Sequence, residues 1–102
     1  MKLMTKEILK KIPALYFQEK LEDDAIVYVK FFDPCSRWTW YATEFDPVQG
    51  LFYGLVIGHE TELGYFSLDE LEKVRNKFGL GIERDTSFRP KTLKEIKAKL
   101  HI

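Results

Sequence analysis

The stretch from Phe31 to Phe45, FFDPCSRWTWYATEF, constrains this chain more than any other: six of its fifteen residues are aromatic and it carries both tryptophans. Beyond the Asp33-Pro34-Cys35-Ser36 turn its side chains alternate, and successive side chains of a strand point to opposite sides of a sheet. Trp38, Trp40 and Ala42 therefore share one face, and Arg37, Thr39, Tyr41 and Thr43 share the other. A face with two tryptophans has to be buried, so the segment reads as one arm of a β-hairpin laid on a core. The opposite face, Arg37, Thr39, Tyr41 and Thr43, is the candidate binding surface, because arginine and tyrosine are favoured where proteins recognise partners.

The flanking sequence extends this arm into an antiparallel meander. Ala25 to Phe32, AIVYVKFF, has the β-branched and aromatic composition of a strand. Asp46-Pro47-Val48-Gln49-Gly50 forms a second turn, and Leu51 to His59 a third strand, in which Gly54 and Gly58 predict a bulge or a close helix contact. Glu60 to Gly64 reads as a further turn, and Ile82 to Phe88 as a short edge strand.

Three helices complete the reading. Thr5 caps a short helix over Lys6 to Ile12, stopped by Pro13. The connector after it is expected to be anchored by Leu15, Tyr16 and Phe17. Ser67 with Glu70 is a capping box, and Leu68, Leu71, Val74 and Phe78 at helical spacing predict a central helix running to Gly79. Thr92 with Glu95 opens a C-terminal helix whose apolar side is Leu93, Ile96 and Leu100. The expected fold is one α+β domain over residues 1–102, with an antiparallel meander of three to five strands packed with the central helix and the short terminal helices.

A chain of 102 residues is long enough to bury roughly two thirds of its unfolded surface. The lone Cys35 forms no internal disulfide, and no stretch has the length and apolarity of a membrane span, so a cytoplasmic protein without membrane attachment is expected. The formal net charge is +0, unevenly placed: residues 1–12 set four lysines against Glu7, and residues 86–102 set five basic side chains against Glu95. The acidic middle favours a protein partner over a polyanion, although basic ends that met in space would attract nucleic acid.

No cofactor motif is assembled. Phosphate-binding glycine loops are missing, a single cysteine excludes cysteine-based zinc sites, and His59 and His101 have no second histidine at ligand spacing. Cys35 as a nucleophile would need His59 as its base. The carboxylates Asp33, Glu44, Asp46, Glu60 and Glu62, with His59, are the candidate Mg²⁺ or Mn²⁺ ligands for phosphodiester hydrolysis. In a meander, however, the Asp33 and Asp46 turns lie at opposite sheet ends, so these groups do not all converge, and no metal or catalytic set is assigned.

MKLMTKEILKKIP, VKFFDPCSRWTWYATEFDP and ELGYFSLDELEKVRNKFGLGIERD, which together take in most of the chain up to Phe88-Arg89-Pro90, carry a further signal. Through them the chain resembles a small bacterial family catalogued as domain of unknown function 2958, met mainly on plasmids, integrative elements and phages. The resemblance lends no catalytic residues. It implies an accessory protein of mobile genetic elements, a context in which the label of single-stranded DNA endonuclease is sometimes used. The expected function is a small non-enzymatic accessory protein that binds a host or element-encoded macromolecule, in defence evasion or element maintenance. The alternatives are a divalent-metal endonuclease using Glu44, Asp46 and Glu62 with His59 assisting, and a non-catalytic single-stranded nucleic-acid binder using Tyr41, Arg37 and the terminal lysines.

Overall fold

The hairpin is closed by Asp33, whose Oδ1 accepts the Cys35 N–H at 2.9 Å and whose Oδ2 accepts the Ser36 hydroxyl at 3.0 Å. This is the turn role in which an aspartate replaces a backbone acceptor. The computed structural model describes residues 2–102. In chain order it comprises α1 (Lys6–Lys11), a 3-10 turn (Glu19–Asp24), β1 (Ile26–Val27), β2 (Val29–Phe32), β3 (Thr39–Asp46), β4 (Leu51–Ile57) and β5 (Thr61–Ser67). Then follow α2 (Leu68–Lys73), β6 (Glu83–Arg84), β7 (Lys91–Thr92) and α3 (Leu93–Leu100). Five strands form one antiparallel sheet in the order β5-β4-β3-β2-β6, and β1 pairs with β7 beside it. The chain is α+β, as the meander and capping boxes predict.

One sheet face carries the larger core. Phe31 of β2, Trp40 and Phe45 of β3, Phe52 of β4 and Phe66 of β5 are buried together beneath Leu3, Ile12, Leu71 and Ile82. Phe52 is its hub, with ring centroids 4.4 Å from Phe45, 5.2 Å from Phe66 and 5.3 Å from Phe31. Trp38 stacks on Trp40 at 5.8 Å, and its ring occupies the place where a Cβ on Gly58 would stand. The second face is covered only in part: Ala25, Val27, Leu93 and Ile96 bury Tyr41 and Leu55 beneath β1 and α3.

Several elements differ from their sequence expectation: the Ala25 to Phe32 strand divides into β1 and β2 in separate sheets, the Ile82 to Phe88 strand shortens to β6, and two changes are larger. Thr61–Ser67 is a strand paired with β4 over seven residues, from Ile57 opposite Thr61 to Leu51 opposite Ser67, where the sequence suggests a turn over Glu60 to Gly64. As an edge strand it needs little apolar composition, and its pairing with β4 outweighs the turn propensity of its residues. The central helix stops at Lys73 rather than Gly79. Beyond it Asn76 organises a loop, its side-chain oxygen accepting the Phe78 N–H at 2.9 Å and the Leu80 N–H at 3.1 Å. Asparagine competes in this way for backbone groups a helix would use, and Val74 and Phe78 are left exposed. The terminal helices begin where their caps predict: Thr5 Oγ1 accepts from the Ile8 N–H, and Thr92 and Glu95 form the reciprocal capping box.

Candidate functional site

The register of β3 on β4 slips once. Ala42 lies opposite Gly54 and Glu44 opposite Tyr53, so Thr43 has no partner in β4. Such a bulge inverts the facing of every residue beyond it. Strict alternation would have put Glu44 among the phenylalanines of the larger core; the bulge sends Phe45 there instead and turns Glu44 to the second face. Thr43 secures the irregularity by donating its hydroxyl to the Tyr53 carbonyl at 3.1 Å.

Glu44 is only 4% exposed, and it holds the connector that precedes the 3-10 turn. Its two carboxylate oxygens accept the Tyr16 N–H at 2.9 Å and the Gln18 N–H at 2.7 Å. The Gln18 side chain donates to the Ile26 and Thr43 carbonyls at 2.9 and 2.8 Å and accepts the Ile26 N–H at 2.7 Å. Upstream, the Pro13 carbonyl takes the Phe45 N–H at 2.9 Å. The connector is thus anchored by buried polar groups rather than by the Tyr16 and Phe17 side chains the sequence suggests, and of the three expected anchors only Leu15 is half-buried. Tyr16 and Phe17 are 63% and 77% exposed. The backbone is strained on both sides of this anchor, with φ of 73° at Tyr16 and 50° at Glu22, both in the region side chains avoid.

Between the connector and the uncovered end of the second face lies a cleft of about 240 Å³. Its floor includes Thr43 and Glu44, its walls Tyr16, Tyr53, Leu63 and Tyr65, and its rim Glu19, Glu22 and Asp23. Tyr53 and Tyr65 meet edge to face at 5.0 Å, and the Tyr65 hydroxyl donates to that of Tyr16 at 3.5 Å. That bond, helped by desolvation and by the neighbouring Tyr16, Tyr53 and Glu44, pushes the Tyr65 hydroxyl up to about 12. Asp23 is paired with Lys97 at 2.8 Å.

The four residues of the sequence-derived surface do not form one exposed stripe. Arg37 is exposed in the hairpin turn and Thr39 is half-buried, its hydroxyl on the Arg37 carbonyl at 3.1 Å. Tyr41 and Thr43 are 6% and 2% exposed. The correction has a plain cause: β1 and α3 pack over Tyr41, and Thr43 is drawn into the bulge. Burial first, and then Asp85, raises the Tyr41 hydroxyl above its ordinary value. The candidate metal ligands are also dispersed. Asp33 and Asp46 sit at opposite ends of β3, Asp46 accepting the Val48 N–H at 2.9 Å, and Glu44 is bonded to the connector. His59 packs edge-on against Trp38 at 5.4 Å, and Cys35 is exposed in its turn. Among the described residues no three histidine, cysteine, aspartate or glutamate side chains are grouped to hold a metal ion. The two terminal helices pack on opposite sheet faces, Ile8 and Ile12 on one and Leu93 and Ile96 on the other, although Lys11 and Arg89 of the two basic ends line one cavity.

Sequence reasoning considers Glu44 only as a metal-ligand candidate, takes Tyr16 for an apolar anchor, and passes over Gln18, so the polar anchoring of the connector goes unread. The only signal for this arrangement is Gly54, opposite the bulge. No helix of the described residues is long and apolar enough to cross a membrane. No curated protein and no solved structure matches the chain. A family model does match, over residues 3–98, and the chain belongs to that family, described as protein of unknown function (DUF2958).

Proposed function

We propose that this protein is a non-enzymatic binding module that docks a protein partner on the uncovered end of its second sheet face. The observation that carries the reading is the set of exposed apolar side chains Tyr16, Leu63 and Tyr65 lining one cleft, with Phe17, next to Tyr16 in the chain, exposed as well. Contiguous apolar surface of this kind marks interaction sites, and tyrosines contribute large contact area at low entropic cost. The cleft borders β5, which has a neighbour on one side only and thus offers free backbone groups along its outer edge. The dispersal of the acidic and histidine side chains supports binding over metal-dependent nuclease chemistry, and the burial of Tyr41 weighs against a sheet platform for single-stranded nucleic acid. The resemblance to a family met mainly on plasmids, integrative elements and phages supports a role as a cytoplasmic accessory protein of a mobile element, acting on a host or element-encoded target.

Affinity capture from host lysate, with the Leu63→Asp/Tyr65→Ser variant beside the wild type, tests the reading. A partner retained by the wild type and lost by the variant is the expected result. Labelled single-stranded and duplex DNA, with and without Mg²⁺ or Mn²⁺, completes the test. Metal-dependent cleavage, or DNA binding that persists in the variant, overturns it.

A further inference from the structure

We infer that the cleft receives a cationic side chain of the partner, an arginine in preference to a lysine, with Glu44 as its buried counter-charge. This inference rests on the docking reading above and names the chemistry of the group that enters. Glu44 is nine-tenths or more buried and lines the cleft, yet none of the ion pairs among the described residues includes it. Each of its oxygens accepts one backbone N–H, while a carboxylate has about four acceptor sites, so capacity remains for a donor from within the cleft. Buried charges are ordinarily paired, because leaving water is costly for an ion without a partner. A cation entering the cleft adds an opposite charge to the two backbone N–H groups that already hold the carboxylate.

The walls suit the same ligand. Tyr53 and Tyr65 present aromatic rings, whose faces attract a cation stripped of water. The rim adds the carboxylates of Glu19 and Glu22, and no lysine, arginine or histidine lines the cleft. Phosphate and nucleic acid are therefore disfavoured there. At about 240 Å³ the cleft falls below the range of small-molecule cavities, roughly 300–1,000 Å³, and is the size for one side chain rather than a cofactor. Arginine is preferred because its planar fork stacks on tyrosine while bonding a carboxylate.

The test titrates the purified chain with N-acetyl-arginine amide, N-acetyl-lysine amide and the neutral N-acetyl-citrulline amide. The Tyr16 and Gln18 backbone amides, which bond Glu44, and the Tyr53 and Tyr65 signals are followed by NMR. The arginine compound is expected to bind with millimolar affinity and shift both amides, as a ligand of this size allows. Citrulline, of like shape and no charge, is expected to bind at least about tenfold more weakly, a difference within reach of one ionic contact. Glu44→Gln should abolish the preference, and Tyr65→Leu, at an exposed position, should weaken arginine binding about threefold to tenfold. Should Glu44→Gln fail to fold, the citrulline comparison and Tyr65→Leu decide the matter. Equal binding of arginine and citrulline at the tyrosines overturns the cationic assignment and leaves the docking face standing. No shift at Tyr16, Gln18, Tyr53 or Tyr65 with any of the three overturns the cationic assignment, and the capture experiment alone then decides the docking reading.

Discussion

A Cβ on residue 54 would stand 1.9 Å from the carbonyl oxygen of Tyr41, so Gly54 is what allows β4 to pass the backbone of β3 beside the bulge. The obstacle is main chain, which cannot swing aside as a flexible side chain does. Gly54→Ala is expected to destabilise the fold at or above the upper end of the roughly 1–3 kcal/mol typical of overpacking. Gly64, on the neighbouring strand, meets nothing within 4 Å. Gly64→Ala should be neutral or slightly stabilising by urea denaturation, and equal losses in the two variants would disprove this account of the bulge.

The buried carboxylate of Glu44 bears on folding as well as recognition. Glu44→Gln keeps the shape but replaces one acceptor oxygen with an amide that cannot accept the Tyr16 or Gln18 N–H. The expected loss is about 1.5–3 kcal/mol, the usual worth of a hydrogen bond to a charged group. Hydrogen exchange at both amides should accelerate while the amides of β2 and β4 stay protected. Unchanged exchange at Tyr16 and Gln18 would contradict the anchoring role.

Tyr41 and Arg37, once grouped by alternation, should now separate. Tyr41→Ala removes a buried ring and is expected to cost about 3–5 kcal/mol, as Trp40→Ala should in the larger core. For a domain of this size each kcal/mol lowers the melting temperature by roughly 4–8 °C, so both losses are large in a thermal scan. Arg37→Glu, in the exposed turn, should stay within about 0.5 kcal/mol of the wild type. A Tyr41→Ala variant that melts like the wild type would restore that face as a surface.

Tyr65 gives the stability a dependence on alkaline pH. Its hydroxyl is raised from 10.0 to about 12, chiefly by the bond to Tyr16, so the folded form holds its proton where the unfolded form has lost it. The associated stability is fully present below pH 10 and lost as the pH rises through about 12. Phenolate absorbance should show Tyr65 titrating earlier in Tyr16→Phe, which removes the accepting hydroxyl. At the acid end, Asp33 is lowered, first by the Cys35 N–H, so its contribution is present above pH 3.8 and disappears as the pH falls through its folded value. In Asp33→Asn that acid-side decline should be smaller, as read from unfolding midpoints at falling pH.

Local signals determined much of the fold. Thr5, Ser67 and Thr92 announced helix starts because capping is settled within four residues of chain. Asp33 and Asp46 announced turns because their carboxylates bond backbone two residues ahead. The alternation of Trp40, Tyr41 and Ala42 was a sound guide as far as the bulge, and the meander followed from it. Helix length was less legible. Val74 and Phe78 keep a helical period, but Asn76 captures the backbone that would have continued the helix.

What only the tertiary structure decided is which surface stays open. Periodicity separates the two faces of a strand but carries no information on which face another element will cover; α3, more than fifty residues away in sequence from Tyr41, covered the one expected to be free. A bulge adds one unpaired residue without changing composition, so the inward turn of Glu44 is invisible until β3 and β4 are in register. The cleft of Tyr16, Glu44, Tyr53 and Tyr65 joins a connector to three strands, and its existence depends on long-range pairing and packing rather than on any local pattern of residues.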